Sequence, residues 1–214
     1  MSNTKLHRRI SALDPGAYRG RYEFIAGDPS LDFVNTISWR GTNRAHEWLS
    51  SYTNLLDWAF LAGMISDPKR SLLKKLASKH PAQAIRVVAE AIKLREALNE
   101  IVKSLAASTP PESRQIAILN THLSIALHRL KLSPVDSKFL WTWKSEQPRP
   151  DEVLWPIVWS ACNFLISHRR NPIGECVDCG WFFLDMTKNH TRRWCTMEDC
   201  GNRAKARRYR SRHR

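Results

Sequence analysis

The sequence predicts a mainly α-helical fold with a small cysteine-rich module at its C-terminal end. Apolar residues recur at spacings of three and four along most of the chain between residues 31 and 167, which is the period of an amphipathic helix. Four cysteines then stand close together in two pairs. A chain of 214 residues, 43% of them hydrophobic, can form one larger domain and one small one. We therefore expect an N-terminal helical domain followed by the cysteine module.

Residues 1–20 are predicted to form a flexible basic lead-in, because proline and glycine near its end discourage regular structure. The helical domain is expected over residues 21–150. Its first helix should follow a turn at residues 27–30, since Leu31, Val34 and Ile37 recur at intervals of three and give one apolar face.

Five further helices are predicted from the same periodicity and from their caps. Ser66-Asp67-Pro68 is a cap with proline in the first turn, and Gly63 supplies the stop before it. The strongest pattern, 4-3-4-3-4, runs over residues 82–107, so that helix should be central. In chain order, the predicted helices cover residues 51–62, 66–80, 82–107, 114–130 and 151–167, the last with a kink expected at Pro156.

Residues 130–144 break the helical pattern. Ser133–Asp136 is turn-like, and Phe139–Trp143 is rich in strand formers, which favours a short β-hairpin over the alternative of a helix. Two prolines mark residues 145–150 as a loop. We expect residues 151–170 to form a helix that connects the helical domain to the cysteine module at residues 171–214.

The cysteine pairs are Cys176-x-x-Cys179 and Cys195-x-x-x-x-Cys200, with fifteen residues between them. Two close thiol pairs joined by a loop are what tetrahedral zinc requires. A disulfide framework fits less well, because the chain begins Met-Ser-Asn-Thr-Lys without an apolar secretory segment and should stay in a reducing compartment. Redox-active thiols or a chance spacing could also produce two such pairs. The sequence nevertheless favours one zinc ion held by these four sulfurs.

This zinc is expected to be structural. Four thiolates fill a tetrahedron, whereas zinc catalysis requires an open position. His190 could replace one sulfur, but it should lie in the turn of a small hairpin whose arms are Trp181–Leu184 and Arg193–Trp194. Zinc should supply much of the folding free energy of so small a module, on the order of 10 kcal/mol. Cys162 lies on the preceding predicted helix and is expected to be a buried thiol in the hydrophobic core.

Positive charge is concentrated beside the cysteines. The formal net charge is +14, and residues 188–214 hold ten Lys or Arg residues against two acidic ones. Such a segment attracts polyanions, with nucleic acid as the first candidate. No apolar run approaches the length of a bilayer span, so we expect a soluble, cytoplasmic protein without a membrane partner.

A basic helix is predicted directly after the last cysteine. Residues 201–210 combine good helix formers with cations around most of the circumference, so the helix lacks an apolar face for packing. It could contact phosphates and guanine edges, although a frayed, solvated tail is the alternative. The predicted nucleic-acid contacts are Arg192, Arg193, Asn202, Arg203, Lys205, Arg207, Arg208 and Arg210.

These residues resemble the CGNR zinc-finger family, named for the tetrad Cys200-Gly201-Asn202-Arg203. The similarity extends over Cys176–Trp181, Phe183–Asp185 and Arg192–Met197. The front of the chain resembles the ABATE domain, the usual partner of this finger, through Gly27-Asp28, Leu31–Thr36 and Leu94–Leu98. The resemblance implies zinc, double-stranded DNA and a bacterial transcription regulator that associates with the nucleoid when bound to DNA.

Asp32, Asn35 and Arg95 are polar residues within apolar stretches of the front domain. We expect a buried ion pair between Asp32 and Arg95, because buried charges need partners. Alternatively, the three residues line a pocket for a small-molecule effector.

Three functions remain to be separated. The leading hypothesis is a DNA-binding regulator, which could act as a homodimer. The alternative is an RNA-binding or ribosome-associated protein, in which exposed aromatic residues stack on bases. The residues considered for stacking are Trp181, Phe182, Phe183, Trp194 and Tyr209. An enzyme is not expected, since we find no nucleophile elbow, phosphate loop, zinc-protease motif or paired carboxylates at helical spacing.

Overall fold

The computed structural model describes residues 22–167 and 172–213. The expected lead-in at residues 1–20 and the end of the expected connecting helix lie outside these ranges. The helices are α1 Pro29–Val34, α2 Tyr52–Leu61, α3 Asp67–Lys79, α4 Pro81–Ala106, α5 Ser113–Leu127, a 3-10 turn Pro150–Val153, α6 Leu154–Ser167, a π-helical turn Met197–Gly201 and α7 Asn202–Arg212. The strands are β1 Ile37–Ser38, β2 His46–Glu47, β3 Leu130–Val135, β4 Lys138–Trp143, β5 Ile173–Glu175 and β6 Phe182–Leu184.

The prediction of a mainly helical fold with short hairpins is therefore confirmed. Helix starts follow the caps that the sequence contains. The Ser51 hydroxyl accepts a hydrogen bond from the Asn54 N–H at 3.1 Å, and Ser66 accepts one from the Lys69 N–H at 3.4 Å. Helix α1 is shorter than predicted, because Ile37 leaves the helical path and pairs with Glu47 between β1 and β2.

One hydrophobic core joins the helices to the first strands of the cysteine module. Helix α4 lies at its centre, as predicted, and buries the apolar stripe that includes Leu94 and Leu98. Helices α1, α2, α5 and α6 pack around it. Ile173 of β5 and Phe182 of β6 belong to the same core. The helical domain and the cysteine module therefore cannot be separated without exposing apolar surface.

The β3–β4 hairpin confirms the expected hairpin but with a different turn. Val135 pairs with Lys138, so the turn lies at residues 136–137 and shares only Asp136 with the predicted turn at Ser133–Asp136. Asp136 has φ 53°, a left-handed conformation that aspartate tolerates in tight turns. Leu130 pairs with Trp143, so its assignment to the preceding helix was wrong. The hairpin packs on α6 through the ring pairs Trp141–Trp159 and Trp143–Trp155, each with centroids 6.2 Å apart.

Helix α6 begins after a 3-10 turn, so Pro156 lies in its first turn, where the missing N–H has no intrahelical partner to lose. Cys162 is buried in the core as expected, and burial raises the pKa of its thiol to about 11. Among the described residues, no helix combines the length and apolar character that a membrane span requires.

Candidate metal centre and nucleic-acid interface

The first cysteine pair occupies the turn of the β5–β6 hairpin. Glu175 pairs with Phe182, and the intervening residues form a tight knuckle. The Cys176 N–H donates to the Trp181 carbonyl at 2.8 Å, and the Gly180 N–H donates to the Cys176 carbonyl at 2.9 Å. Gly180 has φ 75°, a conformation that glycine adopts without steric cost. The backbone thus directs both sulfurs to one side of the hairpin turn.

This hairpin differs from the predicted one. Phe182–Leu184 forms one arm as expected, but the other arm is Ile173–Glu175. Arg193 and Trp194 lie in the loop before the second cysteine pair. That loop is attached to the knuckle, because the Val177 N–H donates to the Arg193 carbonyl at 3.2 Å.

The second cysteine pair spans a loop and a helical turn. Cys195 precedes the π-helical turn Met197–Gly201, which contains Cys200. The Thr196 hydroxyl caps this turn by accepting from the Asp199 N–H at 3.2 Å. A Cβ atom at Gly201 would lie 2.8 Å from Sδ of Met197, so the exposed Met197 side chain would have to move to admit it. Helix α7 continues directly from the turn and is therefore oriented by it.

The four sulfurs form one buried cluster. All four Sγ atoms lie within 4.8 Å of one another, with 3.6 Å between Cys179 and Cys195 and 3.4 Å between Cys195 and Cys200. Tetrahedral zinc with Zn–S bonds of about 2.3 Å places its sulfurs about 3.8 Å apart. The donor set fits one structural Zn²⁺ bound by Cys176, Cys179, Cys195 and Cys200, as the spacing predicted.

The thiols of this cluster do not ionise independently. Hydrogen bonds from Cys179, Cys195 and Cys200 lower the pKa of Cys176. Hydrogen bonding to Cys176 raises the pKa of Cys200. Four neighbouring thiolates repel one another, so a divalent cation is needed to keep all four deprotonated at neutral pH. When bound, zinc would cross-link the two knuckles, and four thiolate ligands would leave it no open coordination position.

Asp185 organises the loop between the cysteine pairs. Its Oδ1 accepts from the Thr187 N–H at 2.9 Å and its Oδ2 accepts from the Arg192 N–H at 2.9 Å. These bonds, led by those from Thr187, lower the pKa of Asp185. The backbone carbonyl of Asp185 lies 3.0 Å from Nδ1 of His190, so the His190 ring is directed to this loop and away from the sulfurs.

Arg192 is directed into the module. Its Nε donates to the Trp194 carbonyl at 3.0 Å, and its guanidinium lies 4.2 Å from the centroid of the Phe183 ring. A further bond joins it to the Cys195 carbonyl. This half-buried side chain holds the loop around the zinc ligands, so it is less suited to DNA than we expected.

Arg203 of the Cys-Gly-Asn-Arg tetrad is also engaged internally. Its Nε donates to Oδ2 of Asp178 at 2.8 Å, and its Nη2 donates to Sγ of Cys200 at 2.8 Å. A further bond joins it to Asp199, and its guanidinium lies 5.3 Å from the Trp39 ring of the front domain. Arg203 therefore connects α7 to a zinc ligand, to the first knuckle and to the helical domain.

Arg207 lies one turn further along α7 and donates to Oδ1 of Asp178 at 2.7 Å. Asp178, between the first two cysteines, thus bridges two arginines, and its side chain is only 4% exposed. Sequence analysis missed this aspartate, although an acidic residue inside a cysteine pair next to a basic helix was visible. Asn202, which we expected at DNA, donates to the Glu198 carbonyl at 2.9 Å.

The other residues predicted to contact DNA have solvent-exposed side chains. Arg193, Lys205, Arg208 and Arg210 are exposed and form no ion pair among the residues that the structure describes. Arg193 lies 5.6 Å from the centroid of the Trp194 ring. Arg212, which the prediction did not include, shares their exposure. Helix α7 buries none of its residues, which agrees with its lack of an apolar face.

Two family models match this arrangement. Residues 27–168 match the ABATE model, described as "Putative stress-induced transcription regulator", and residues 173–213 match the CGNR zinc finger. The chain belongs to the ABATE family. Both resemblances noted in the sequence are confirmed, with the ABATE domain preceding the CGNR finger. The ABATE match extends through α6. No curated protein matches the chain.

The expected ion pair between Asp32 and Arg95 of the ABATE domain is wrong. Oδ1 of Asp32 accepts from the N–H groups of Ile25 and Ala26, both at 3.0 Å, and Oδ2 has no hydrogen-bond partner among the described residues. Burial raises the pKa of Asp32 to about 7 despite these two bonds. The carboxylate is thus used to hold the chain that enters α1.

Arg95 instead pairs with Glu47 of β2. Its Nη1 and Nη2 each lie 2.6 Å from an oxygen of that carboxylate, and its Nε donates to Glu96 at 2.9 Å. Burial alone would lower the pKa of Arg95, but the hydrogen bonds and negative charges of Glu47 and Glu96 together outweigh this effect and raise it. The bidentate geometry satisfies a guanidinium that is 1% exposed.

Asn35 connects the ABATE domain to the finger. Its Nδ2 donates to the Phe182 carbonyl and its Oδ1 accepts from the Phe182 N–H, both at 2.9 Å. Asn35 and Asp32 line a cavity of only about 10 Å³, and Arg95 is not part of its wall. The geometry therefore does not favour an effector pocket formed by these three residues.

The aromatic residues considered for base stacking are mostly buried. Phe182 and Phe183 are in the core, and Nε1 of Trp181 donates to the Ile37 carbonyl at 2.9 Å. Trp194 is half-buried, whereas Tyr209 is exposed and stacks on His213 at 4.1 Å. These positions do not form a stacking platform, so the geometry does not favour single-stranded RNA.

Proposed function

We propose that this protein is a zinc-dependent transcription regulator in which the CGNR finger presents α7 to double-stranded DNA. The family descriptions support a zinc-containing regulator. The step to DNA depends on the uncompensated cations of α7. Arg203 and Arg207 attach one face of this helix to the finger, which leaves the opposite face directed away from it.

The outward face carries a stripe of three cations. At 100° per residue, Lys205, Arg208 and Arg212 lie within about 60° of one another and roughly opposite Arg203. All three are exposed and have no carboxylate partner among the described residues. The stripe is about 10 Å long, at 1.5 Å per residue, and a helix of this kind fits the major groove. Arg210, on the same face of α7 as Arg203, and Arg193, in the loop before Cys195, are also exposed and could reach phosphates.

Selection from a random duplex library tests the proposal. We expect enrichment of particular sequences by the zinc-loaded full-length protein, and loss of enrichment after chelation, because zinc orients α7. Neutralising the stripe as Lys205→Gln, Arg208→Gln and Arg212→Gln should reduce the slope of log K against log salt by about three, since each phosphate contact contributes roughly 0.9.

A matched control removes the same charge elsewhere. Lys74, Lys75 and Lys79 are exposed on α3, and their replacement by glutamine changes the net charge equally. We expect this control to keep the salt slope of the unmodified protein. Equal losses in both triple variants, or enrichment that survives chelation, would contradict the proposal. Single-stranded RNA of matched length should compete weakly, and strong competition would favour the RNA-binding alternative.

The homodimer remains a prediction. If two copies bind together, the selected sequences should contain half-sites related by two-fold symmetry, spaced by about one helical turn or a multiple of it. Sedimentation of the zinc-loaded protein, with and without a selected duplex, measures this state directly.

A further inference from the structure

The ABATE domain contains a cavity of about 640 Å³ between α4, α5 and the start of α6. This volume lies within the range of sites that bind small molecules, about 300–1,000 Å³. The cavity is unrelated to Asp32, Asn35 and Arg95, and neither the zinc ligands nor α7 contribute to its wall.

The inner wall of the cavity is apolar. Val87 of α4 and Leu154 and Trp155 of α6 are buried there. Trp155 is 3% exposed, and its Nε1–H makes no hydrogen bond within the described residues. This nitrogen has essentially no accessible surface, so Trp155 contributes apolar ring atoms to the wall.

The rim supplies a cation that the protein does not neutralise. Arg86 of α4 lines the cavity, is exposed, and has no ion pair among the described residues. The other rim arginine, Arg149, is already paired with Asp151, with 2.8 Å between Nε and Oδ1. Arg86 is therefore the guanidinium available to an incoming anion.

The acidic residue nearest to Arg86 on α4 is engaged elsewhere. Glu90 lies 3.3 Å from Nε2 of His122 and 3.8 Å from Nζ of Lys93. Burial lowers the pKa of His122, so its ring adds little positive charge at neutral pH. The cavity thus combines an apolar inner wall with an exposed guanidinium that forms no ion pair among the described residues.

We propose that this cavity binds small, predominantly apolar carboxylic acids. The carboxylate pairs with Arg86, and the apolar body lies on Val87, Leu154 and Trp155. Because α7 lies outside the cavity, ligand binding at this site can be measured without DNA, and the site does not depend on a DNA contact. It therefore goes beyond the proposed function and gives the regulator a candidate effector class.

Calorimetry on the zinc-loaded full-length protein tests the site with two probe pairs, 4-phenylbutyrate and octanoate, each against its neutral amide. We expect one molecule bound per chain, with each acid at least tenfold tighter than its amide, because a charge-assisted bond to Arg86 contributes about one factor of ten or more. The acids should also change tryptophan fluorescence, since Trp155 lies in the wall.

Three variants locate the binding. Arg86→Gln should remove the acid preference while weak binding of the amides is retained. Thr121→Trp, at an exposed lining position on α5, should block both acid and amide by filling the cavity. Arg114→Gln removes an exposed α5 cation outside the cavity and should leave both affinities unchanged.

Circular dichroism of Arg86→Gln should match the unmodified protein, since Arg86 is exposed and forms no ion pair among the described residues. The proposal is overturned if neither acid binds the unmodified protein, or if Arg86→Gln keeps the full preference for acids over amides. Failure of the DNA experiments would leave these outcomes unaffected, because calorimetry here contains no nucleic acid.

Discussion

Replacing Arg203 by alanine should weaken zinc binding rather than remove a DNA contact. Its guanidinium donates to Asp178 and to Sγ of Cys200, both at 2.8 Å, and also contacts Asp199. One planar side chain thus connects a zinc ligand to the knuckle that holds the other cysteine pair. Alanine removes all of these bonds and leaves Asp178 with Arg207 alone.

The expected magnitude follows from the burial of the partners. Asp178 and Cys200 are shielded from water, whereas the Arg203 side chain is itself 32% exposed. We therefore assign each of the two bonds the lower end of the charge-assisted range, about 1.5 kcal/mol. Together they contribute about 3 kcal/mol, which corresponds to roughly 100-fold in zinc affinity. Residues that contact metal ligands commonly contribute about 10–100-fold.

Competition with a chromogenic chelator such as 4-(2-pyridylazo)resorcinol measures the zinc affinity of each variant. Arg208→Ala is the matched control, because Arg208 lies on the same helix and has no ion-pair partner among the described residues. It should keep zinc as tightly as the unmodified protein and lose affinity for DNA. Arg203→Lys should restore little, since one ammonium group cannot bond three separate acceptors in a fixed plane.

The opposite pattern would refute this reasoning. If Arg203→Ala held zinc normally and lost DNA affinity to the same extent as Arg208→Ala, Arg203 would be a DNA contact and the internal bonds would be incidental. An Asp178→Asn variant separates the two cases further. It should weaken zinc binding in the unmodified background and have much less effect once Arg203 is alanine, because the two residues share one interaction.

Four other perturbations test the described contacts. Asn35→Ala should lower the free energy of unfolding by about 2–3 kcal/mol in urea titrations, because two buried hydrogen bonds to Phe182 are lost; no change would show that this junction is unimportant. Arg95→Ala should cost about 3–5 kcal/mol in the same assay by leaving Glu47 unpaired, and a loss below about 1 kcal/mol would contradict a stabilising pair. The raised pKa of Asp32, about 7, makes the folded protein bind a proton more tightly than the unfolded chain, so this contribution to stability is complete below pH 3.8 and is lost as the pH rises through 7. The free energy of unfolding of the unmodified protein should therefore fall by about 1–2 kcal/mol between about pH 5.5 and 7, and Asp32→Asn should remove this fall. Identical pH profiles for the two proteins would refute the assignment. Removal of zinc should abolish hydrogen-exchange protection in the finger and lower the melting temperature of the whole chain, whereas unchanged protection would contradict a structural role for the metal.

The sequence was most informative where local chemistry determines structure. The helices of the ABATE domain follow from apolar periodicity and from serine caps such as Ser51 and Ser66, which act within one turn. The zinc ligands follow from two short cysteine spacings. Both kinds of pattern involve residues that lie close in the chain, so a single sequence contains the required information.

Long-range partners could not be read in the same way. Asp32 and Arg95 were paired because both charges needed compensation, but nothing in the sequence excluded backbone amides for one and Glu47 for the other. Strand β5 has only three residues, too few for a periodic pattern, so its pairing with β6 was missed. Tertiary contacts between distant segments decide these choices.

The basic segment shows the same distinction between composition and placement. A charge count treats Arg192, Arg203 and Lys205 alike, because each adds one positive charge. The structure separates them by their neighbours: Arg192 and Arg203 bond carbonyls, carboxylates and a sulfur, whereas Lys205 faces solvent. Only cations without internal partners add fully to the attraction for a polyanion.

Strand β6 explains how the two family domains act as one unit. Successive side chains of a strand point to opposite faces, so Phe182 enters the helical core while Phe183 packs against the zinc cysteines. The Trp39 N–H donates to the Cys179 carbonyl at 3.1 Å, and the Leu184 N–H donates to the Ala26 carbonyl at 2.8 Å. The finger is therefore built against the ABATE domain along its backbone as well as through side chains. Strand β6 belongs to both cores, so a change in the packing of the helical domain would move the zinc knuckles. It would thereby change the direction of α7.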